Sequence, residues 1–474
     1  MYVLIMKCFS IKDQLLFSTL SGDNNPIHLD AIYARRTVWG KPVVHGVHIV
    51  LRAINEWLSS TQLKSCELTD ISVEFLNVLL IDEEPNEIIK DNGKEVSIQI
   101  MNSYGNLITK ILFNYVIKSK NKVFNFNSKI SKDDVIEHSI AAFTTLSETI
   151  TIPLCINFSL LKKMYPDSFS ILNLGQISLL LNTTRCVGNR WPGLNSIYHK
   201  LDIKFTNKRI LNSKVLYTIK KVHTKLNFID IECQCDIGFG SIRAFVRPSF
   251  SQQASVRELA SKVSYNEFHN QKALVIGGSR GIGEVVVKLI ALGGAEVLFT
   301  FVKGTEDANR VIESLNDVNI NIETQQYDTL MPTQESIEKI IHFQPTHIYY
   351  FATPAISQGK KNTFTIKLLY NFIEYYLNSF IKLLELFSYP TTLFYPSSVF
   401  VEELTDGMWE YSISKYAGEL LCMYINKYRH RTSVFSPRLP RIVTDQTVSL
   451  LPIKTKKAED VMLPLLRQFH LKDF

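Results

Sequence analysis

The chain has 474 residues, too many for one hydrophobic core, and length alone points to about three domains. Hydrophobic residues make up 46% and charged residues 20%, a globular balance that excludes a disordered chain. A net charge of +7 spread without a basic block excludes a nucleic-acid footprint, and no apolar run is long enough for a transmembrane helix.

Three segments separate by pattern. Residues 1–122 give a helical entry, a long helix from about Val43 to Leu58, and strands that begin near Asp70. In Ile71-Ser72-Val73-Glu74-Phe75 apolar and polar residues alternate, the two-residue period of a half-buried strand. Residues 123–250 repeat that order: a helix from Leu172 to Thr183, a strand from Ile197 to Phe205, then strands at Phe228–Cys235 and Ser241–Val246. Laying Ile71–Phe75 over Leu201–Phe205 keeps the alternation in phase, which predicts an internal repeat of one helix wrapped by an antiparallel sheet. Residues 251–270 are polar and read as a linker. From residue 271 the style changes to strand (Ala273–Ile276), glycine turn, helix (Gly283–Gly293) and strand (Glu296–Phe301). Later strands at His347–Phe351, Thr392–Tyr395 and Ser433–Phe435 alternate with helices, so residues 271–474 predict a doubly wound parallel sheet.

The seven cysteines (Cys8, Cys66, Cys155, Cys186, Cys233, Cys235 and Cys422) form no CxxC pair, and no metal-ligand set is expected. Free thiols and the lack of a signal-like start predict a cytoplasmic chain.

The stretch Ser21-Gly22-Asp23-Asn24-Asn25-Pro26-Ile27-His28 carries the first chemistry. Adding water across a double bond conjugated to a thioester needs a base for the water, an acid for the α-carbon and donors for the enolate-like oxygen. Asp23 and His28 supply a carboxylate and an imidazole, and Pro26 stiffens the turn between them. The stretch resembles the MaoC-like, (R)-specific enoyl-CoA hydratase family, whose signature is Asp-x-Asn-Pro-x-His on a hotdog fold. The resemblance continues through Asp30, Gly40 and Val44-His45-Gly46. It implies that Asp23 and His28 perform the acid–base work, that the Gly46 N–H contributes to an oxyanion hole, and that Asn25 orients the pair. The second segment has no such signature; the resemblance makes it a non-catalytic hotdog that forms the acyl pocket, with Asp167, His199 and His223 structural.

The second constellation begins with Gly277-Gly278-Ser279-Arg280-Gly281-Ile282-Gly283, which follows a strand and opens a helix. Glycines let the backbone approach a pyrophosphate, and a helix N-terminus supplies N–H donors. Tyr411 and Lys415, four apart, share a helix face, and Ser398 precedes them. The lysine charge is expected to lower the tyrosine's pKa for proton donation to a carbonyl. Together these residues resemble the short-chain dehydrogenase/reductase family over residues 271–474. The resemblance implies a nicotinamide cofactor held by Gly277, Ser279, Arg280, Gly281, Ile282 and Gly283, with Thr300 ending the second strand and Asp328 near the adenine. Arg280, and the lack of an acid near Thr300, favour NADPH. The chain departs from that family at Phe351-Ala352-Thr353-Pro354, where Asn-Asn-Ala-Gly is usual, and at Pro437-Arg438, where Pro-Gly is usual. Tyr376 falls where the tetrad asparagine is expected, with Asn378 half a turn on.

The combined expectation is an α+β double hotdog followed by an α/β Rossmann-type sheet. It would act as an (R)-3-hydroxyacyl dehydratase/trans-2-enoyl hydratase and an NADPH-dependent 3-oxoacyl reductase on acyl-CoA or an acyl-carrier protein. The aromatic helix Leu368–Phe387 is read as part of a homodimer interface in the reductase domain. Two alternatives stay open: a hydratase with a degenerate, binding or dimerising reductase-like domain, and a reductase of another carbonyl with an acyl-holding hotdog.

Overall fold

Strand burial follows the sequence alternation. The computed structural model describes residues 2–118, 133–145, 149–206, 214–356, 359, 362–447 and 453–471. The chain divides into two compact units, one built almost entirely from residues 1–249 and the other from residues 250–474.

The first unit holds β1 (Tyr2–Ile5), β2 (Cys66–Phe75), β3 (Asn86–Asp91), β4 (Glu95–Met101), β5 (Leu107–Ile117), β6 (Thr149–Pro153), β7 (Ser196–Phe205), β8 (Lys214–His223), β9 (Phe228–Gln234) and β10 (Gly238–Val246). In β2, Cys66 and Leu68 are buried, then Ile71, Val73 and Phe75; a bulge between Leu68 and Asp70 moves the buried face from even to odd positions. All ten strands form one antiparallel sheet in the order β1-β3-β4-β5-β2-β7-β10-β9-β8-β6, so the second five strands retrace the first five in reverse. β2 and β7 meet at the centre, where Ile71 faces Ile203, Ser72 faces Asp202 and Val73 faces Leu201. That register agrees with the overlay of Ile71–Phe75 on Leu201–Phe205, because the partner of Ile71 is the counterpart of Val73, and the converse holds. The Ser72 hydroxyl donates to Asp202 across this junction (2.6 Å).

Each half contributes one long helix to a shared core. Helix Gly46–Ser59 buries Val47, Val50, Leu51, Ile54 and Trp57, and helix Leu174–Arg185 buries Ile177, Leu180 and Leu181. The second helix runs on into a wide π-type turn, Cys186–Arg190, closed by the Trp191 N–H to the Cys186 carbonyl (2.9 Å). The sequence periodicity ends the helix at Thr183 and does not foresee this turn.

The second unit holds β11 (Lys272–Ile276), β12 (Glu296–Phe301), β13 (Glu323–Gln326), β14 (His347–Tyr350), β15 (Thr391–Phe394), the short β16 (Ser397–Ser398), β17 (Thr432–Phe435) and the short β18 (Arg438–Leu439). Six of them form a parallel sheet in the order β13-β12-β11-β14-β15-β17. β14 and β15 are buried at every position, as strands covered on both faces must be. Residues 251–270, expected as a linker, contain helix Val256–Ala260 and place Val256, Leu259 and Phe268 in this unit's core. A short apolar spacing inside a polar stretch carries too little periodic signal to reveal that packing. No helix among the described residues is long and apolar enough to cross a membrane.

Candidate functional site

Each unit holds one constellation. In the first, Ser10 caps helix Ile11–Ser21 in a capping box with Asp13, and Gly22 ends that helix at φ 79°. The chain then turns inward to Asp23, which is buried. Asp23 Oδ1 accepts the Asn25 N–H (3.1 Å), and Asn25 Oδ1 accepts the Ile27 N–H (3.1 Å), capping the short helix Pro26–Leu29 that carries His28. His28 Nδ1 donates to the Val43 carbonyl (2.8 Å), which fixes the tautomer and leaves Nε2 as the free nitrogen.

A third group joins them. His45 stacks on His28 with ring centroids 3.8 Å apart and planes 25° apart, and its Nδ1 is bonded to Gln14 Oε1 (2.8 Å). One oxygen or nitrogen of each of Asp23, His28 and His45 lies within 4.8 Å of the others. Imidazole lone pairs lie in the ring planes, and two stacked rings do not aim theirs at one point at bonding distance. The arrangement therefore suits proton exchange better than metal coordination. Burial holds the Asp23 carboxyl above its ordinary range, opposed by His28, the Thr184 hydroxyl and the Asn25 N–H. Burial holds His28 below its ordinary value, opposed by Asp23, and it holds His45 lower still. Gly46 opens the long helix, whose first-turn N–H groups have no intrahelical acceptor. A Cβ at Gly46 would lie 2.7 Å from the Phe75 ring, so the backbone approach there requires glycine.

Three residues of the second half meet the Gly22–Asn24 turn and were not foreseen. Thr184 donates to Asp23 Oδ2 (2.7 Å). Gly188 packs directly on the carboxylate. Asn189 accepts the Asn24 N–H (2.9 Å) and donates to the Gly22 carbonyl (2.7 Å). Asn25 spends its amide on the carbonyls of Gly188 (3.2 Å) and Gly193 (3.0 Å), so it ties the turn to the second half. His199 bonds the Phe75 carbonyl, Asp167 accepts from Asn55 and His223 faces Asp230.

In the second unit, Gly277 (φ 81°) and Gly281 (φ 58°) need the left-handed region, and a Cβ on Gly283 would lie 2.1 Å from the Gly277 carbonyl oxygen. Ser279 is buried, Ile282 is half-buried, and helix Gly281–Leu292 points its N-terminus out of the turn. This closely folded backbone, set directly before a helix N-terminus, fits a pyrophosphate. Thr300 is buried; it accepts the Gly277 N–H on its hydroxyl (3.1 Å) and the Gly278 N–H on its carbonyl (2.9 Å), so its side chain braces the turn. Arg280 lies 3.9 Å from Asp445. Asp328, just past β13, accepts the Leu330 N–H (3.0 Å).

Ser398 lies in β16, which pairs with β18, and Arg438 of β18 is ion-paired with Glu419 (2.6 Å) and with Glu402. Tyr411 and Lys415 sit on helix Trp409–Tyr428, and the Ser398 hydroxyl lies near enough to the Tyr411 hydroxyl to favour its charged form. The expected lowering of the tyrosine's pKa is not found: burial pushes Tyr411 up to about 12. Lys415 instead donates to the Pro396 carbonyl (2.8 Å) and lies over the Tyr376 ring, 3.7 Å from its centroid, with Tyr395 at 5.2 Å and Tyr411 at 6.0 Å. Burial draws this lysine down to about 7. Tyr376 lies in a π-type turn, Glu374–Asn378, and its hydroxyl bonds Thr353 (2.7 Å). Asn378 turns to Glu374 (2.7 Å) in an exposed position.

Residues 9–109 match the family described as MaoC like domain. The Asp23, His28 and Gly46 positions fall inside that match. The curated relatives match the chain only in part. "Glucose and ribitol dehydrogenase homolog 2" of Arabidopsis thaliana is 47% identical over 55 residues, 11% of this chain and 19% of that protein. "Glucose and ribitol dehydrogenase" of Daucus carota is 52% identical over 52 residues, 10% of this chain and 18% of that protein. The chain spans about a fifth of the length of these relatives. Among solved structures, a short chain dehydrogenase from Burkholderia cenocepacia in complex with NADP has a TM-score of 0.37 and 18% identity, over 43% of this chain and 91% of that chain. FolM alternative dihydrofolate reductase 1 from Brucella suis in complex with NADP has a TM-score of 0.34 and 17% identity, over 37% and 74%.

Proposed function

We propose that this is a bifunctional acyl-thioester enzyme with a double-hotdog hydratase and a Rossmann-type reductase. The observation that carries the reading is the buried Asp23 carboxyl beside the half-buried His28, their pKa values shifted in opposite directions, within a MaoC-like domain. A water held by the Asp23 carboxylate and neutral His28 gives up a proton as its oxygen attacks the β-carbon of a trans-2-enoyl thioester. A proton returned from the pair to the α-carbon completes addition of H and OH, and elimination from the (R)-3-hydroxyacyl form is the reverse. The Gly46 N–H, at the positive end of its helix, receives the developing thioester oxyanion.

In the second unit the glycine turn would hold NADPH, which supplies a hydride when bound. Ser398 and Tyr411 would hold the 3-oxo group, Tyr411 would give the carbonyl oxygen its proton, and the Lys415 ammonium, 6.0 Å from the Tyr411 ring centroid, would favour the phenolate left behind. The two reactions share the 3-hydroxyacyl intermediate, which gives a reason for joining them. The acyl group would be carried by CoA or an acyl-carrier protein, and the setting would be cytoplasmic. On helix Trp409–Tyr428, the exposed residues Trp409, Ile413, Tyr416, Leu420, Tyr424 and Tyr428 recur at helical spacing, an apolar stripe that suits a homodimer.

One observation favours a second reading, in which the reductase-like unit only binds or dimerises. Lys415 is already spent on Pro396 and the face of Tyr376. The deciding experiment offers the purified chain crotonyl-CoA, and separately acetoacetyl-CoA with NADPH. Tyr411→Phe should abolish NADPH oxidation and leave hydration intact. Binding of NADPH without oxidation across a panel of 3-oxoacyl thioesters would establish the second reading.

A further inference from the structure

We propose that the Asp23 carboxylate is positioned by the second half of its unit, through the Thr184 hydroxyl, the bare backbone of Gly188 and the Asn189 amide. This rests on the hydratase reading and assigns part of that site to a segment without the Asp-x-Asn-Pro-x-His signature.

The local geometry is built for the purpose. Helix Leu174–Arg185 would, if it continued regularly, turn residues 188 and 189 to another side. The π-type turn Cys186–Arg190 widens the helix and re-aims both. Gly188 then meets Asp23 so closely that a Cβ would stand 2.0 Å from Oδ1 and 2.5 Å from Oδ2. Asn189 grips the main chain on both sides of Asp23, at the Gly22 carbonyl and the Asn24 N–H. Thr184, itself buried, donates a hydrogen bond to Oδ2. The titratable groups facing Asp23 are His28 from its own turn and His45 from the start of the long helix. Arg185 and Arg190 of the second half pair with Asp133. The second half therefore acts on the carboxylate through a neutral donor and through packing.

A donor to a carboxylate favours its charged form. Removing the Thr184 hydroxyl should thus raise the pH at which Asp23 ionises. In the full-length chain, Thr184→Val should lower kcat for crotonyl-CoA hydration by about tenfold to a hundredfold and leave KM little changed. The acid limb of its pH profile should move to higher pH, and Thr184→Ser should restore both. Asn189→Ala should lower kcat without moving the acid limb, since it touches the peptide and not the carboxylate; it serves where Thr184→Val does not fold. A wild type that hydrates, with both variants matching it in kcat and pH profile, overturns the positioning proposal alone. A wild type that hydrates at no pH overturns the hydratase reading and this proposal with it.

Discussion

A single methyl group at residue 188 tests how tightly the two halves of the first unit make one site. In Gly188→Ala the new Cβ would stand 2.0 Å from Asp23 Oδ1 and 2.4 Å from its carboxyl carbon. An ordinary carbon–oxygen contact is about 3.3 Å, so the two groups must separate by roughly 1.3 Å. Asp23 has little room to retreat, because Thr184 and the Asn25 N–H hold its two oxygens. Overpacking of this kind costs about 1–3 kcal/mol of stability. Misplacing a reacting group by about 1 Å costs on the order of a hundredfold in rate. The assay is steady-state hydration of crotonyl-CoA beside thermal unfolding of the same sample. The expected variant folds, unfolds at a lower temperature, and hydrates on the order of a hundredfold more slowly in kcat. A Gly188→Ala protein that unfolds at the wild-type temperature and hydrates at the wild-type rate would refute the packing argument.

Three further outcomes are expected. Burial and the neighbouring Glu56 carboxyl push the fully buried Glu87 up to about 9, while the unfolded chain titrates it near its ordinary value of about 4.3. Between those values the folded state holds the extra proton, so its contribution falls by about 1.4 kcal/mol per pH unit as pH rises. Glu87→Gln should flatten that slope and raise the unfolding temperature at alkaline pH; an unchanged slope in denaturation curves contradicts this. Lys415, drawn down to about 7, loses its charge as pH rises through about 7, and carbonyl reduction should decline there. Tyr376→Asn opens its surroundings to water and should move that decline to higher pH, and identical pH profiles for the two proteins would rule it out. NADPH should bind more tightly than NADH, and Arg280→Ala should narrow the gap by removing the cation that would pair with the extra phosphate; equal affinities in a fluorescence titration of the wild type count against it.

The parts of the structure legible in the sequence are those whose causes lie within a few residues. The Asp23–His28 turn is set by its own caps and by Pro26, and the glycine turn by the positive φ of Gly277 and Gly281. Strand alternation sufficed to align β2 with β7, because the buried face of a strand is a local pattern. The rest depends on contacts far apart in the chain. Thr184 and Asn189 reach Asp23 and Asn24 across more than 160 residues, and a threonine inside an apolar helix carries no mark of that partner. The π-type turns at Cys186–Arg190 and Glu374–Asn378 break no periodicity that a sequence reading counts. Spacing placed Lys415 and Tyr411 on one helix face, but not the Tyr376 ring beneath the ammonium. Nor does spacing announce that the Thr300 hydroxyl accepts the Gly277 N–H.

The central claim is that Asp23 and His28 add water to an enoyl thioester. It is tested most directly by hydration of crotonyl-CoA with the wild type, Asp23→Asn and His28→Ala, each shown to be folded. The account predicts hydration by the wild type and a loss of about a hundredfold or more in each variant, as expected on removing a positioned acid or base. Hydration at near wild-type rates in either folded variant would contradict it.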